Sequence, residues 1–386
     1  MNRVALKMLM GDRAKYIGIV FGITFASLLI TQQMSIFVGI MARTFGSIAD
    51  LSQPDVWVMD PKVMMIDDIK PLQSTQLYRV RGIEGVEWAV PLYRGLLKAR
   101  LSNGSFQTCT VTGLDDTTLL GGPPEMIEGQ LADLRLTDSV IVDIAGATGR
   151  LAKPAATPEG RPTPLKLGDT LEINDKRATV VGICRVQRTF QSQPVVYTTY
   201  SRAMSFAPRE RKLLSFILVG LEPGARAPEV CERIQERTGL QAVTRDDFIW
   251  MTMNYFLKYT GIPINFGTAV LLGFFVGIAI AGMTFFNFTQ DNLKQFGALK
   301  AMGTTNGTLL RMILLQSSMV GAIGYGMGVG AASLFGYLTR NSELAFRMPW
   351  QVLAISACAV LFICVVSALF SIRKVIKLEP AIVFKS

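Results

Sequence analysis

Four long stretches of the chain carry no charged residue: Tyr16–Met41, Tyr259–Gln290, Met312–Thr339 and Met348–Ile372. A bilayer core of about 30 Å is crossed by roughly 20 apolar residues of helix, so each stretch is long enough to span once. Four buried helices of a soluble protein would keep polar outer faces, which these stretches lack. The first exceeds the roughly 7–15 apolar residues of a signal peptide and has no clear small-residue cleavage site, so it is expected to remain as an anchor. Between the first and second stretches, Ala42–Lys258 changes to short, β-rich patterns. Strands are expected at Asp55–Met59, Val86–Val90 and Leu214–Val219, and a helix over Gln73–Arg81. Thr170–Ile173 and Ala178–Ile183 flank Asn174-Asp175, a hairpin pattern. A further helix opens at Pro228, closes before Gly239 and places Glu229 and Glu232 ahead of Arg233 and Arg237, the order the helix dipole favours. Leu151–Pro164, with four prolines, reads as a loop. The expected fold is membrane α-helical, with four transmembrane helices and a two-lobed α+β extracytoplasmic domain inserted between helices 1 and 2.

Composition sharpens this picture. Half of the 386 residues are hydrophobic and 18% are charged, against about 25% in soluble domains. The formal net charge of +10 raises nucleic acid as a partner, but its distribution argues against that. Ala42–Lys258 holds 26 Lys and Arg against 25 Asp and Glu and is nearly neutral. Eleven of the thirteen remaining basic residues fall in three segments beside the apolar stretches: Arg3, Lys7, Arg13 and Lys15; Lys294, Lys300 and Arg311; Arg373, Lys374, Lys377 and Lys385; only Arg340 and Arg347, in the short turn 340–347, oppose them. With four spans these three segments share one face, which the positive-inside rule makes cytoplasmic. The expected order is therefore a cytoplasmic segment 1–15, span 16–41, external domain 42–258, span 259–290, cytoplasmic loop 291–311, span 312–339, external turn 340–347, span 348–372 and cytoplasmic tail 373–386.

The candidate chemistry is sparse. With no histidine, a Ser-His-Asp hydrolase is excluded and the usual zinc and copper ligand is missing. Cys109, Cys184, Cys231, Cys358 and Cys364 show no CxxC spacing, and the three external ones are expected to be buried small apolar residues. No span holds Asp, Glu, Lys or Arg, which disfavours a proton- or ion-driven carrier. Gln32, Gln33, Asn265, Asn287, Gln316, Ser317 and Ser318 fit hydrogen bonds between helices first and substrate contacts second. Gly273/Gly277, Gly324/Gly328 and Gly326/Gly330 are small-xxx-small pairs that let helix backbones approach, within one chain or between two. There is no GxxxxGK[ST] phosphate cradle, so any ATPase must be another subunit.

Two segments carry a family resemblance. Lys294-Gln-Phe-Gly-Ala-Leu-Lys-Ala-Met-Gly303 resembles the loop R-x-x-E-[IF]-G-x-L-[KR]-A-[IML]-G of the FtsX/MacB-type permeases of ABC transporters. Ser367–Ala381 is similar to that family's closing P-x-x-x-A-x-x-x-x-P-x-x-A-L, matching at Lys374 and Glu379-Pro380-Ala381. Ser367 stands where the usual proline would be, Phe384 lies near the usual Leu-Arg end, and Gln295 replaces the usual glutamate, so no acidic contact is carried over. Leu167–Asp175 is similar to the family's G-D-x-[VIL]-x-[LI]-N-G segment, and Gly22–Gln32 looks like the Dev-type G-I-x-F-A-x-x-L-x-x-x-Q.

The resemblance implies a non-catalytic permease in the bacterial inner membrane. It would form a homodimer and bind two copies of a separate ATPase, which holds the ATP and Mg; this chain itself would carry no cofactor. The subgroup likeness adds a membrane-fusion adaptor, an outer-membrane channel and lipid-like cargo. The coupling segment would comprise Lys294, Phe296, Gly297, Leu299, Lys300, Met302 and Gly303, with Phe296, Leu299 and Met302 at helical spacing and Phe296 as the anchor in an ATPase pocket. The same spacing also suits an amphipathic helix lying on the membrane. The leading expectation is an export permease of the mechanotransmission kind, moving a lipid-like, amphipathic or peptide cargo. The alternative is a non-transporting permease that activates a cell-wall hydrolase or senses a ligand.

Overall fold

The protein is described by a computed structural model covering residues 2–11, 13–154, 161–208, 213–340 and 342–376. The chain divides into two compact units, residues 41–260 and the remainder.

The first unit is helical. A short helix α1 (Asn2–Gly11) precedes α2 (Arg13–Thr44), the first of four helices among the described residues that are long and apolar enough to cross a membrane. The other three are Ile262–Asp291, Asn306–Leu338 and Trp350–Ile376, numbered below as α9, α11 and α12. The short α10 (Leu293–Ala301) joins α9 to α11. Glycines set the closest approaches. A Cβ on Gly277 would lie 2.6 Å from that of Ala26, one on Gly324 2.7 Å from Ile23, and one on Gly328 2.6 Å from Ser27, so α9 and α11 both press on α2 through missing side chains. Gly273 faces Leu29 in the same way. Gly326 and Gly330 differ, because open space surrounds both.

Three polar side chains in this bundle bond across helices. Ser317 Oγ donates to the Cys364 carbonyl at 2.8 Å, Ser371 Oγ to the Phe285 carbonyl at 3.0 Å, and Gln316 Nε2 to the Ala5 carbonyl at 2.6 Å. These spend each donor inside the protein, as an apolar surrounding requires.

The second unit is α+β. Its elements in chain order are α3 (Gly46–Asp50), β1 (Val56–Met59), α4 (Ser74–Arg81), β2 (Val86–Arg100), β3 (Phe106–Leu114), β4 (Glu125–Glu128), β5 (Ser139–Asp143), α5 (Ile144–Thr148), β6 (Thr170–Ile173), β7 (Lys176–Arg185), β8 (Val195–Thr199), α6 (Tyr200–Phe206), β9 (Phe216–Leu221), α7 (Ala227–Thr238), β10 (Gln241–Thr244) and α8 (Arg245–Tyr259). One lobe is the antiparallel sheet β10-β1-β9-β2, whose connections through α4 and α7 give the split β-α-β-β-α-β arrangement. Val56 and Val58 face α4 and α7, packing with Leu77, Val80, Val230 and Ile234. Trp57 faces the other way, edge-on to Phe216 with ring centroids 5.6 Å apart and 5.3 Å from Phe248 of α8. β1 is thus buried on both faces, which strict alternation of polar and apolar residues would not have shown.

The other lobe is inserted between β2 and β9. β2 continues past β9, pairs with β3, and the series β3-β8-β5-β7-β6 returns to β2 through Ala99↔Ile173. The sheet therefore closes into a small barrel filled by Leu97, Val111, Val140, Val180 and Val196. The hairpin β6–β7 turns through Asn174 at φ +46° and Asp175 at φ +61°, the left-handed pair a two-residue turn needs. Gly239 ends α7 at φ +73°. The expected loop Leu151–Pro164 is anchored by a bridge between Lys153 and Thr163, while 155–160 lie outside the described residues.

Cys109, Cys184 and Cys231 are free and buried. Desolvation pushes the Cys109 thiol up to about 12 and the Cys231 thiol up to about 11, so both resist forming the reactive thiolate.

Candidate functional site

The segment between α9 and α11 is built as an elbow. Asn292 caps α9, and its Nδ2 donates to the Phe288 carbonyl at 2.8 Å. The Phe296 amide then donates back to the Asn292 carbonyl at 3.0 Å, starting α10 with no break in bonding. At the far end Met302 N donates to the Ala298 carbonyl and Thr304 N to the Leu299 carbonyl. Gly303 takes φ +90°, which only glycine adopts freely, and the chain turns to Thr305, whose hydroxyl oxygen accepts the Thr308 amide of α11.

The faces of α10 correct the sequence-based expectation. Phe296 is fully buried at 0% exposure, so in this chain it is not an outward anchor. It packs with Leu309, Met312 and Ile313 of α11, Ala368 and Ile372 of α12, and Ala5 of α1. The reason is geometric. Apolar residues of α1, α11 and α12 face the inner side of the elbow, and its one aromatic residue turns inward to pack among them. Gly297 is buried beside it, and Leu299 and Lys300 are half-buried. Met302 is 75% exposed, and Lys294, Gln295, Ala298, Ala301 and Gly303 are exposed with it. The outward face is thus a small apolar patch centred on Met302 and Ala298, edged by Lys294 and Gln295. Helical spacing placed Phe296 and Met302 together, yet the pair straddles the boundary between the inward and outward faces.

Lys300 reaches the end of α12, where its Nζ donates to the Ile376 carbonyl at 3.0 Å. A cation on the last carbonyls of a helix is favoured by the helix dipole. Lys15 of α2 pairs with Asp291 at the end of α9. The apolar cluster around Phe296 and the Lys300 hydrogen bond together bring α1, α10, the start of α11 and the end of α12 to one end of the bundle. Lys374 falls in the last turn of α12, and Glu379 and Pro380 lie outside the described residues. Sequence reading missed α1 entirely; its one sign was the spacing of Ala5 and Leu9, both now buried.

Known families account for this arrangement. The family model of the MacB-like periplasmic core domain matches residues 17–237, more than half of the chain, and that of the FtsX-like permease C-terminal region matches residues 250–380. The chain belongs to the FtsX/MacB-type permeases of ABC transporters, membrane proteins with a periplasmic-type domain. An uncharacterized ABC transporter permease of Methanocaldococcus jannaschii is 24% identical over 232 residues, covering 56% of this chain and 57% of that protein, so the match spans little more than half of the relative's length. Among solved structures, the periplasmic region of MacB from Actinobacillus actinomycetemcomitans is similar at 14% identity and a TM-score of 0.38, covering 54% of this chain and 96% of that one. The extracellular domain of the noncanonic ABC-type transporter YknZ from Gram-positive bacteria is similar at 12% identity and a TM-score of 0.34, covering 50% of this chain and all of that one. At such scores the membership rests on the family models.

Proposed function

We propose that this chain is the permease subunit of an ABC export complex, and that α10 is the element a separate ATPase pushes. The observation that carries the reading is the two-sidedness of α10: Phe296 locks it to the bundle end while Met302 and Ala298 face out. A helix held on one side by a buried aromatic transmits a push on its other side to α9, α11 and α12, where a loose loop would absorb it. In this reading two copies of the chain assemble with two ATPase subunits, which hold the ATP and Mg. The complex sits in the inner membrane with both termini in the cytoplasm and residues 42–258 in the periplasm. Support for that orientation comes from exposed Lys7, Arg13, Lys294 and Arg373 on the elements gathered at one end of the bundle. Movement reaches the external domain, where an amphipathic, lipid-like or peptide cargo is handled with a membrane-fusion adaptor and an outer-membrane channel. The absence of Asp, Glu, Lys and Arg from the four uncharged stretches fits mechanical transmission better than an ion-coupled route.

The test separates the two faces. Met302→Asp places a charge in an apolar contact and should leave the thermal stability of the permease unchanged. Loss of a central anchor contributes about 2 kcal/mol or more, so association with the ATPase should fall roughly 30-fold, with ATP turnover falling alongside. Phe296→Ala should instead lower stability by about 3–5 kcal/mol, the usual range for a buried aromatic. Normal copurification and turnover for Met302→Asp would remove α10 from the ATPase contact.

A further inference from the structure

The external unit contains a cleft of about 530 Å³ that the coupling role does not use. Its size falls within the range of small-ligand sites, about 300–1,000 Å³. Met65, Ile69, Pro71, Leu213 and Leu214 make its apolar wall. Each charge in its lining is paired, Asp67 with Arg94 of the lining and Asp68 with Lys70 beside the cleft. Arg94, 6% exposed, donates from Nη2 to Asp67 Oδ1 at 3.0 Å, and Asp68 pairs with Lys70 at 2.8 Å. Thr189 lines the same cleft, is 5% exposed, and its Oγ1 has no hydrogen-bond partner among the described residues. A buried hydroxyl left unmatched is destabilising, and a ligand group beside it would relieve that.

The floor is an open strand edge. In β2, Arg94 exchanges two bonds with Ser215 Oγ, its amide donating at 2.9 Å and its carbonyl accepting at 3.0 Å. Four residues on, the Lys98 carbonyl accepts the Asn174 amide at 3.0 Å and the Lys98 amide donates to Asn174 Oδ1 at 3.4 Å. Alternate residues of an antiparallel strand point their backbone groups to the same edge. Leu96 therefore presents its N–H and C=O to that edge, in the gap where β9 has ended and β6 has not begun. Leu96 and Gly95 line the cleft. Between Arg94 and Lys98 the strand advances about 13 Å, room for roughly three extended residues.

We infer that this cleft binds a short extended peptide, which pairs its central residue with the backbone of Leu96, lays an apolar side chain on the Leu213–Leu214 wall and meets the Thr189 hydroxyl. Strand addition to an open edge draws affinity from main-chain bonds and specificity from side-chain pockets. The cancelled charges favour neutral amides over phosphate headgroups or cations. The assignment stands on the external unit alone and does not depend on the coupling role of α10.

The experiment uses the full chain in lipid nanodiscs and a library of capped tripeptides with apolar central residues, with binding read by mass spectrometry and then titration. The best binder should lose about 10-fold in affinity when its central amide is N-methylated, and a similar factor when Leu213→Trp fills the cleft. Thr189→Val should weaken it roughly 2- to 10-fold, the span of one net hydrogen bond. Unchanged melting temperatures show that the variants fold, and the N-methyl comparison on the unaltered chain decides the matter if they do not. No saturable binder up to about 10 mM, equal affinity of methylated and unmethylated peptides, or stronger occupancy by a soluble short-chain phospholipid would overturn the assignment.

Discussion

Asp143 joins three pieces of the barrel. Its Oδ2 accepts the Gly146 amide at 3.0 Å, capping α5, and its Oδ1 accepts the Val195 amide at 2.8 Å, fixing the start of β8. Burial raises its pKa, and the bonds from Val195, Gly146 and Ala145 and the charge of Arg188 oppose that rise without cancelling it. A carboxyl raised in the folded state adds stability that is complete below its ordinary value of 3.8 and is lost as pH climbs through the folded value. Asp50, raised by burial against its bonds from Gln187, adds a contribution of the same sign. Asp143→Asn offers one acceptor to two N–H donors and turns an amide NH2 on the second. It should destabilise the protein by about 1–3 kcal/mol, and the gap to wild type should narrow from acid toward neutral pH. Thermal melting at several pH values checks both; a gap that widens toward neutral pH would contradict the raised pKa. The tie from Asp143 to β8 was invisible in the sequence because Val195 lies 52 residues away. Phe296 failed for a related reason. Helical spacing tells which residues share a face, but not whether that face looks inward.

At the scale of elements, the spans were legible because a bilayer demands long uncharged stretches, whereas their contact faces were not. Lipid tails are as apolar as leucine, so a membrane helix shows no polar stripe to mark its outer side. The glycine pairs illustrate this. All three pairs read alike in sequence, yet Gly324 and Gly328 meet α2 while Gly326 and Gly330, two residues along the same helix, face open space. Gly324→Val should therefore push α2 from α11 and cost about 1–3 kcal/mol by overpacking. Gly326→Val should leave the melting temperature of the single chain unchanged, and any loss of self-association in that variant would mark the outer stripe as a contact with a second copy. Equal destabilisation by both would mean that the packing of α11 against α2 is wrong. In the external unit the hairpin β6–β7 was read correctly from Asn174 and Asp175, because turn chemistry is local. Closure of the barrel through Ala99↔Ile173 was not, since that pairing joins residues far apart in the chain.

For the whole molecule, the bundle end that gathers α1, α10 and the end of α12 also carries the exposed Lys7, Lys294 and Arg373, and the proposed orientation follows from their attraction to the cytoplasmic side. The cysteines make this orientation measurable. Cys109, Cys184, Cys231 and Cys364 are buried and Cys358 is exposed, so Cys358→Ser leaves a background that a membrane-impermeant maleimide reaches poorly. The high pKa of the Cys109 thiol, about 12, and of the Cys231 thiol, about 11, slows their reaction further near neutral pH. In that background Ser102→Cys, at the exposed turn between β2 and β3, should label fully in intact cells. Asn306→Cys, exposed at the start of α11 beyond Gly303, should label only once the membrane is opened. The two sites lie in different units joined by α2 and by the α8–α9 connection, so opposite accessibility requires the chain to cross the membrane between them. Labelling of Asn306→Cys in intact cells would place α10 on the outer side, where no ATP-bound subunit could reach Met302.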